Sequence, residues 1–388
     1  MSSIRRLIPI AVALSLVLAT PPPAGAVETI ATLSRVSSVS AHGGRVAWSS
    51  FDPNLNTFVL MTRFGGTTGQ VPVRPRTVPF DVDLGPNRAG QTVAVYSRCR
   101  NDPPRREPAL GNVFTQLPDW AGAGGCDIYE FDFAQNRERR IAAASSKRAS
   151  EFLPSIWKNR IAFARVYEHR RGRAGERAYL YARRLTGSKR SLRLPAGTRS
   201  TGKFCSGTPR RCRSLVEPGP TGLDLAGLKL ALGWDSGAPE NATSAVYLQT
   251  IRTRGSRKTL LARVGSGNIQ GSELESPSIV DGHVYWTLAL FGDNTFNKLQ
   301  RYTITTGALA ETPLPPAAEQ SQDAYLRGVL ASAVSGGDFL YLSSGLILPG
   351  EPCTPQQPCS VAPGCADAEP CLLKSTRDVA FKPAAPTR

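Results

Sequence analysis

Histidine is scarce in this chain, with three among 388 residues, His42, His169 and His283. Two of them fall at glycine-rich turn positions, where a solvated turn residue accounts for them and a catalytic or metal-ligating role does not. No Gly-x-Ser-x-Gly sequence occurs, and Gly233-Trp234-Asp235-Ser236-Gly237 has the wrong spacing, which excludes the nucleophile elbow of the α/β-hydrolases. Gly265-Ser266-Gly267-Asn268-Ile269-Gln270-Gly271 is rich in glycine, but no helix follows it to offer its N-terminus to a phosphate, so it reads as a loop between repeats. After the first twenty residues no stretch keeps a helical period over three turns. The longest apolar run, Leu7 to Thr20, contains Pro9 and falls short of the ~20 residues that span a bilayer.

That run follows Met-Ser-Ser-Ile-Arg-Arg and precedes Ala24-Gly25-Ala26, the layout of a secretory signal peptide over residues 1–26 with cleavage after Ala26. The mature chain is therefore expected to be secreted, extracellular or associated with the cell wall, with no membrane span once the leader is gone. Eight cysteines in an exported chain read as four disulfides. Cys99 with Cys126 and Cys205 with Cys212 are neighbours that can each close a local loop, while Cys353, Cys359, Cys365 and Cys371 can pair in three ways. Their six-residue interval is wider than zinc ligands use, so no metal and no cofactor is expected. Net charge is +17, and two of the positive charges, Arg5 and Arg6, belong to the leader. A field of this sign favours an acidic polymer or protein partner. Nucleic acid is not expected, because exposed aromatics are not interleaved with the basic residues.

Ser276-Pro-Ser-Ile-Val-Asp-Gly-His-Val-Tyr-Trp286 supplies the template for the rest of the chain. An apolar residue, a short turn rich in Gly, Asn and Asp, and a β-branched or aromatic triplet make two strands joined by a tight turn. The pattern recurs at Ser40–Trp48, Phe80–Tyr96, Leu153–Phe163, Asp224–Leu232 and Ala333–Tyr341, each copy followed by a third strand and then a short fourth. In the sixth copy Val379 to Phe381 is the expected fourth strand. Four-stranded units repeated in this way cannot bury both faces alone and pack around an axis. The expected fold is all-β, a propeller of six four-stranded blades in a single domain over 27–383, with a tail at 384–388. The blades lie at about 38–75, 78–144, 150–196, 221–265, 274–314 and 328–383. Residues 28–36 form a further strand placed to close the ring.

These repeats resemble the six-bladed TolB-like, WD40-like propellers of exported bacterial proteins, over about residues 29 to 383. The Ser-Pro-Asp-Gly turn of that class is absent, and Val280-Asp281-Gly282 comes nearest. The resemblance implies a fold and transfers no activity.

Acidic pairs are available at Asp81 and Asp83, and at Asp235, Glu240 and Asp293, as candidates for glycosidic acid and base chemistry at the ring centre. Trp48, Trp157 and Trp286 lie in the repeated pattern and read as packing residues. Long insertions at Arg100–Gly125, Glu168–Arg177, Thr198–Gly219 and Leu346–Pro370 belong to loop classes that share one face of a propeller. They hold Arg100, Arg105, Arg106, Arg170, Arg171, Arg173, Arg177, Arg210, Arg211 and Arg213. The functional expectation is a non-enzymatic binding or scaffold propeller using this basic patch, with a polymer-degrading hydrolase or lyase as the alternative.

Overall fold

A computed structural model describes residues 27–100, 102, 125–147, 149–167, 178–187, 190–197, 204–205, 212–213, 219–236, 243–252, 256–265, 271–291, 296–314, 329–344, 365, 370–377 and 379–384. The first strand, β1 (Val27–Leu33), precedes the blades. Blade one is β2 (Val39–His42), β3 (Arg45–Asp52), β4 (Thr57–Phe64) and β5 (Thr67–Gln70). Blade two is β6 (Asp83–Pro86), β7 (Thr92–Arg98), β8 (Asp127–Asp132) and β9 (Arg137–Arg140). Blade three is β10 (Ala149–Trp157), β11 (Arg160–Tyr167), β12 (Tyr179–Arg184) and β13 (Leu192–Leu194). A small hairpin, β14 (Phe204–Cys205) with β15 (Cys212–Arg213), comes before blade four: β16 (Gly219–Ala226), β17 (Lys229–Ser236), β18 (Thr243–Thr250) and β19 (Arg257–Gly265). Blade five is β20 (Gly271–Val280), β21 (His283–Phe291), β22 (Phe296–Thr303) and β23 (Leu309–Leu314), and blade six holds β24 (Val329–Ser335), β25 (Asp338–Ser343) and β26 (Cys371–Arg377). The last strand is β27 (Lys382–Pro383).

Within each blade the strands pair antiparallel in sequence order from the axis outward, except that blade six takes β1 as its outermost strand. Two-residue turns such as Gly43-Gly44 and Asp281-Gly282 join the first strand to the second, with φ of 57° and 74° in one and 48° and 78° in the other. Positive φ at both positions matches the twist of the flanking strands and makes glycine the natural occupant.

Packing follows from the register these turns impose. The fourth residue of the second strand is Trp48, Val95, Phe163, Leu232, Trp286 or Tyr341, and each is 0 or 1% exposed. Burying one such side chain contributes about 1.5–3 kcal/mol. Six apolar clusters result, one between each pair of neighbouring blades. The cluster between blades six and one includes Leu33 of β1, Trp48 of β3 and Leu373 of β26.

The ring closes through β1, which lies antiparallel on β26 with Val27 facing Thr376 and Leu33 facing Cys371. The outermost strand of blade six is thus β1, and Val379–Phe381 do not fill that place. They lead instead into β27, which pairs with Ala310 and Glu311 on the edge of blade five. On the way Phe381 packs against Tyr285 with ring centroids 6.0 Å apart, and Arg301 lies 4.2 Å from the Phe381 ring centre. The apolar residues Val379 and Phe381 join the cluster between blades five and six, and that burial draws the segment across.

Disulfides join Cys99 to Cys126 and Cys365 to Cys371. Cys205 and Cys212 are paired in register on the small hairpin, although their side chains lie outside the described residues, as do Cys353, Cys359 and residues 1–26, the expected signal peptide.

Candidate functional site in the central channel

The innermost strands β2, β6, β10, β16, β20 and β24 surround a cavity of about 810 Å³ along the axis. One strand position has the same task in successive blades. Ser40 Oγ accepts the Leu84 amide at 2.9 Å, Asp83 Oδ2 the Ile156 amide at 3.3 Å, Ser155 Oγ the Leu225 amide at 2.8 Å, and Asp224 Oδ2 the Ile279 amide at 2.5 Å. Each innermost strand has a free edge toward the axis, and in β6, β10, β16 and β20 a side-chain oxygen from the preceding blade satisfies one of its orphan donors. Ser278 and Ala333 occupy the corresponding places in blades five and six.

In two of these places the oxygen belongs to a carboxyl group. Asp83 also receives hydroxyl hydrogen bonds from Ser40, at 3.1 Å, and from Ser155. Burial pushes its pKa well above the usual carboxylate range, and the negative charge of Asp224 pushes the same way. Burial raises the Asp224 pKa to about 6, against the smaller opposing effect of the Ile279 and Leu225 amides. Two interacting carboxyls, both with raised pKa, therefore stand on the wall of one cavity.

Asp81 and Asp83, adjacent candidates in the sequence, have different surroundings. Asp81 is 3% exposed and accepts the Ser97 and Leu153 amides, each at 2.7 Å, with Arg76 Nη1 3.7 Å away. Arg76, itself buried, donates to Ser97 O at 2.7 Å and to Asp102 Oδ1 at 3.2 Å. This is an ion-pair network tying blade one to blade two, apart from any chemistry in the channel. Asp235 is half-buried on β17, and Glu240 and Asp293 lie outside the described residues.

Trp48 and Trp286 are core residues, as their pattern implies. Trp157 packs too, against the cluster between blades three and four, but it ends β10 half-buried and also lines the cavity. His42 meets it edge-on, with centroids 5.9 Å apart and an interplanar angle of 82°. Partial burial lowers the His42 pKa below the usual histidine value, so the ring is neutral at pH 7. His283 accepts or donates a 3.2 Å hydrogen bond with Thr303 Oγ1 and lies off the channel, and His169 is outside the described residues. Sequence reasoning passes over Asp224 and finds the packing of Trp157 but not its place at the cavity. The available signal is alignment of the repeats, which puts an oxygen-bearing side chain in the Asp224 position of five copies.

Of the expected basic patch, Arg100 is described and exposed beside Cys99. Arg105, Arg106, Arg170, Arg171, Arg173, Arg177, Arg210, Arg211 and the side chain of Arg213 lie outside the described residues. Among the described residues no group of three His, Cys, Asp or Glu side chains is placed to hold a metal ion, and no helix is long and apolar enough to cross a membrane.

No protein-family model matches the chain, and no curated protein matches it. Solved propellers do. The β-propeller domain of the Trilobed protease from Pyrococcus furiosus is 11% identical, with a TM-score of 0.40 over 88% of this chain and 78% of that one. The α-L-arabinofuranosidase Arb93A from Fusarium graminearum is 9% identical, with a TM-score of 0.43 over 90% and 98%. A puromycin-hydrolysing peptidase of Mycobacterium tuberculosis is 11% identical, with a TM-score of 0.42 over 84% and 53%. Likeness this distant carries no argument about activity.

Proposed function

We propose that this chain is a secreted, non-enzymatic binding or scaffold propeller of the TolB-like kind, acting at the cell envelope. It recognises an acidic polymer or protein through the arginine-rich loops. The observation that supports a binding role is the occupation of the channel oxygens: Asp83 and Asp224 hold the next blade's amide as Ser40 and Ser155 do. Carboxyls engaged in the same way as serines need no catalytic role to explain their presence. Loops joining second to third strands and loops joining blades emerge on one side, since antiparallel strands return to it each time. By that rule the ends of β7, β11 and β25, where the insertions of blades two, three and six begin, share one rim. The test is retention on immobilised polyglutamate. Replacing Arg170, Arg171 and Arg173 together with Ser lowers retention and its salt dependence at unchanged melting temperature. Unaltered retention overturns the role of these loops.

A hydrolase or lyase acting on an extracellular polymer is the second reading. It is favoured by one observation, the presence of two carboxyls, Asp83 and Asp224, on a shared cavity wall, each with its pKa raised by burial. Turnover of a polysaccharide by the wild type that is lost in Asp83→Asn and in Asp224→Asn would establish it.

A further inference from the structure

The chain as a whole is strongly basic, at +17, yet the described wall of its central cavity is not. Among the described residues that line it there is neither Lys nor Arg, whereas Asp83, Asp224 and Asp281 are present. Asp81 also lines it, but Arg76 answers that charge. Asp83 and Asp224 are held by serine hydroxyls and backbone amides, all neutral donors, so their negative charge has no counter-cation among the described residues of the wall. The free energy of ionising both is unfavourable for that reason, and a cation between them removes the penalty.

The kind of cation follows from the remaining wall. A hard divalent ion takes six to eight oxygens at short range, and no convergent group of acidic or histidine ligands exists among the described residues. The cavity, at about 810 Å³, has instead the size of a pocket for an organic molecule. The Trp157 indole lines it, and His42, braced edge-on against that indole, is neutral and adds no repulsion. An indole face attracts diffuse positive charge through its quadrupole and is the surface that quaternary and alkyl ammonium groups select. Serines and aliphatic residues from the other blades complete a lining that is polar at some points and apolar at others.

We infer that the central channel binds an organic ammonium ion, with Asp83 and Asp224 balancing its charge and Trp157 contacting its alkyl groups. This site is independent of the basic loops and of their acidic partner. Occupation draws the Asp83 and Asp224 pKa values down, so binding releases protons. A purely structural role for these residues predicts no such release.

The probe is choline, titrated calorimetrically into the mature chain at about pH 7, in two buffers of different ionisation enthalpy. The neutral isostere 3,3-dimethylbutanol serves as control. The expected result is saturable one-to-one binding of choline with proton release, and no binding of the isostere. Trp157→Ala and Asp224→Asn each weaken choline binding about tenfold. Trp157→Phe, which keeps a ring, retains most of the affinity and covers the case in which the alanine variant does not fold. Absence of saturable choline binding by folded protein overturns the inference. Equal binding of the isostere overturns it too, as does choline affinity that is unchanged in both Trp157→Ala and Asp224→Asn.

Discussion

Asp224→Asn separates the electrostatic cost of the channel wall from its hydrogen bonding. An asparagine resembles the protonated aspartic acid, since it offers one oxygen to the Ile279 amide and bears no charge. Asp224 has a folded pKa of about 6 and an unfolded value of ~3.9. The folded chain therefore binds the extra proton, and the stability this contributes is complete below the unfolded value and lost as pH rises through the folded one. Two pKa units correspond to about 3 kcal/mol, and partial solvation of the channel reduces this to about 1–3 kcal/mol. At about pH 4 the wild type and the variant should have similar stability, while at about pH 7 the variant should be more stable by that amount. Urea denaturation of both proteins at the two pH values measures the difference, with the slopes checked for equality. Asp83 shifts in the same direction, so Asp83→Asn should repeat the pattern. A stability difference that does not change with pH would refute the reasoning, because it would mean that Asp224 ionises as freely in the folded chain as in the unfolded one.

Arg76→Ala removes the cation of a buried network and leaves Asp81, 3% exposed, without its charge partner. The expected loss is about 3–5 kcal/mol in chemical denaturation, and a loss below about 1 kcal/mol would remove the network from the account of how blades one and two are joined. Gly85→Ala places a Cβ 2.1 Å from the Ile156 carbonyl oxygen, so the innermost strands of blades two and three must move apart. A destabilisation of about 1–3 kcal/mol is expected from thermal or urea melts, and a neutral substitution would show that the two strands have room to yield.

The blades are legible in the sequence because two signals coincide in them. Period-two alternation marks the strands, and turns such as Gly336-Gly337 mark where one ends and the next begins. The Val379–Phe381 segment is legible as extended chain but not as to its partner. Its apolar residues fit either of two sheet edges, and the decision rests on the space between Tyr285 and Arg301 that Phe381 fills. Trp157 is legible as a packing residue but not as a residue of the cavity. Ile156, the residue before it, joins the cluster between blades two and three, so alternation puts Trp157 against the cluster between blades three and four, and its reach into the cavity comes from its place at the end of β10. Asp224 is legible as the start of the fourth copy but not as a wall residue. Aligning the copies shows an oxygen-bearing side chain at that position, while its task of holding the next blade's amide appears only in the structure.

The closing strand sets an order of events. β1 is made first and its partner β26 near the end, so no part of blade six can be finished until nearly the whole chain is available. Contacts this distant in sequence form slowly, because the intervening chain must be gathered before they reward it. Until β1 arrives, β26 presents unpaired amides and carbonyls along one edge, the kind of edge that recruits strands from other molecules. The Cys365–Cys371 bond lies where β26 begins, so oxidation fixes the start of that edge as β1 docks along it, pairing Leu33 with Cys371. The interval between synthesis of the two strands is thus the period in which this ring is most exposed to aggregation.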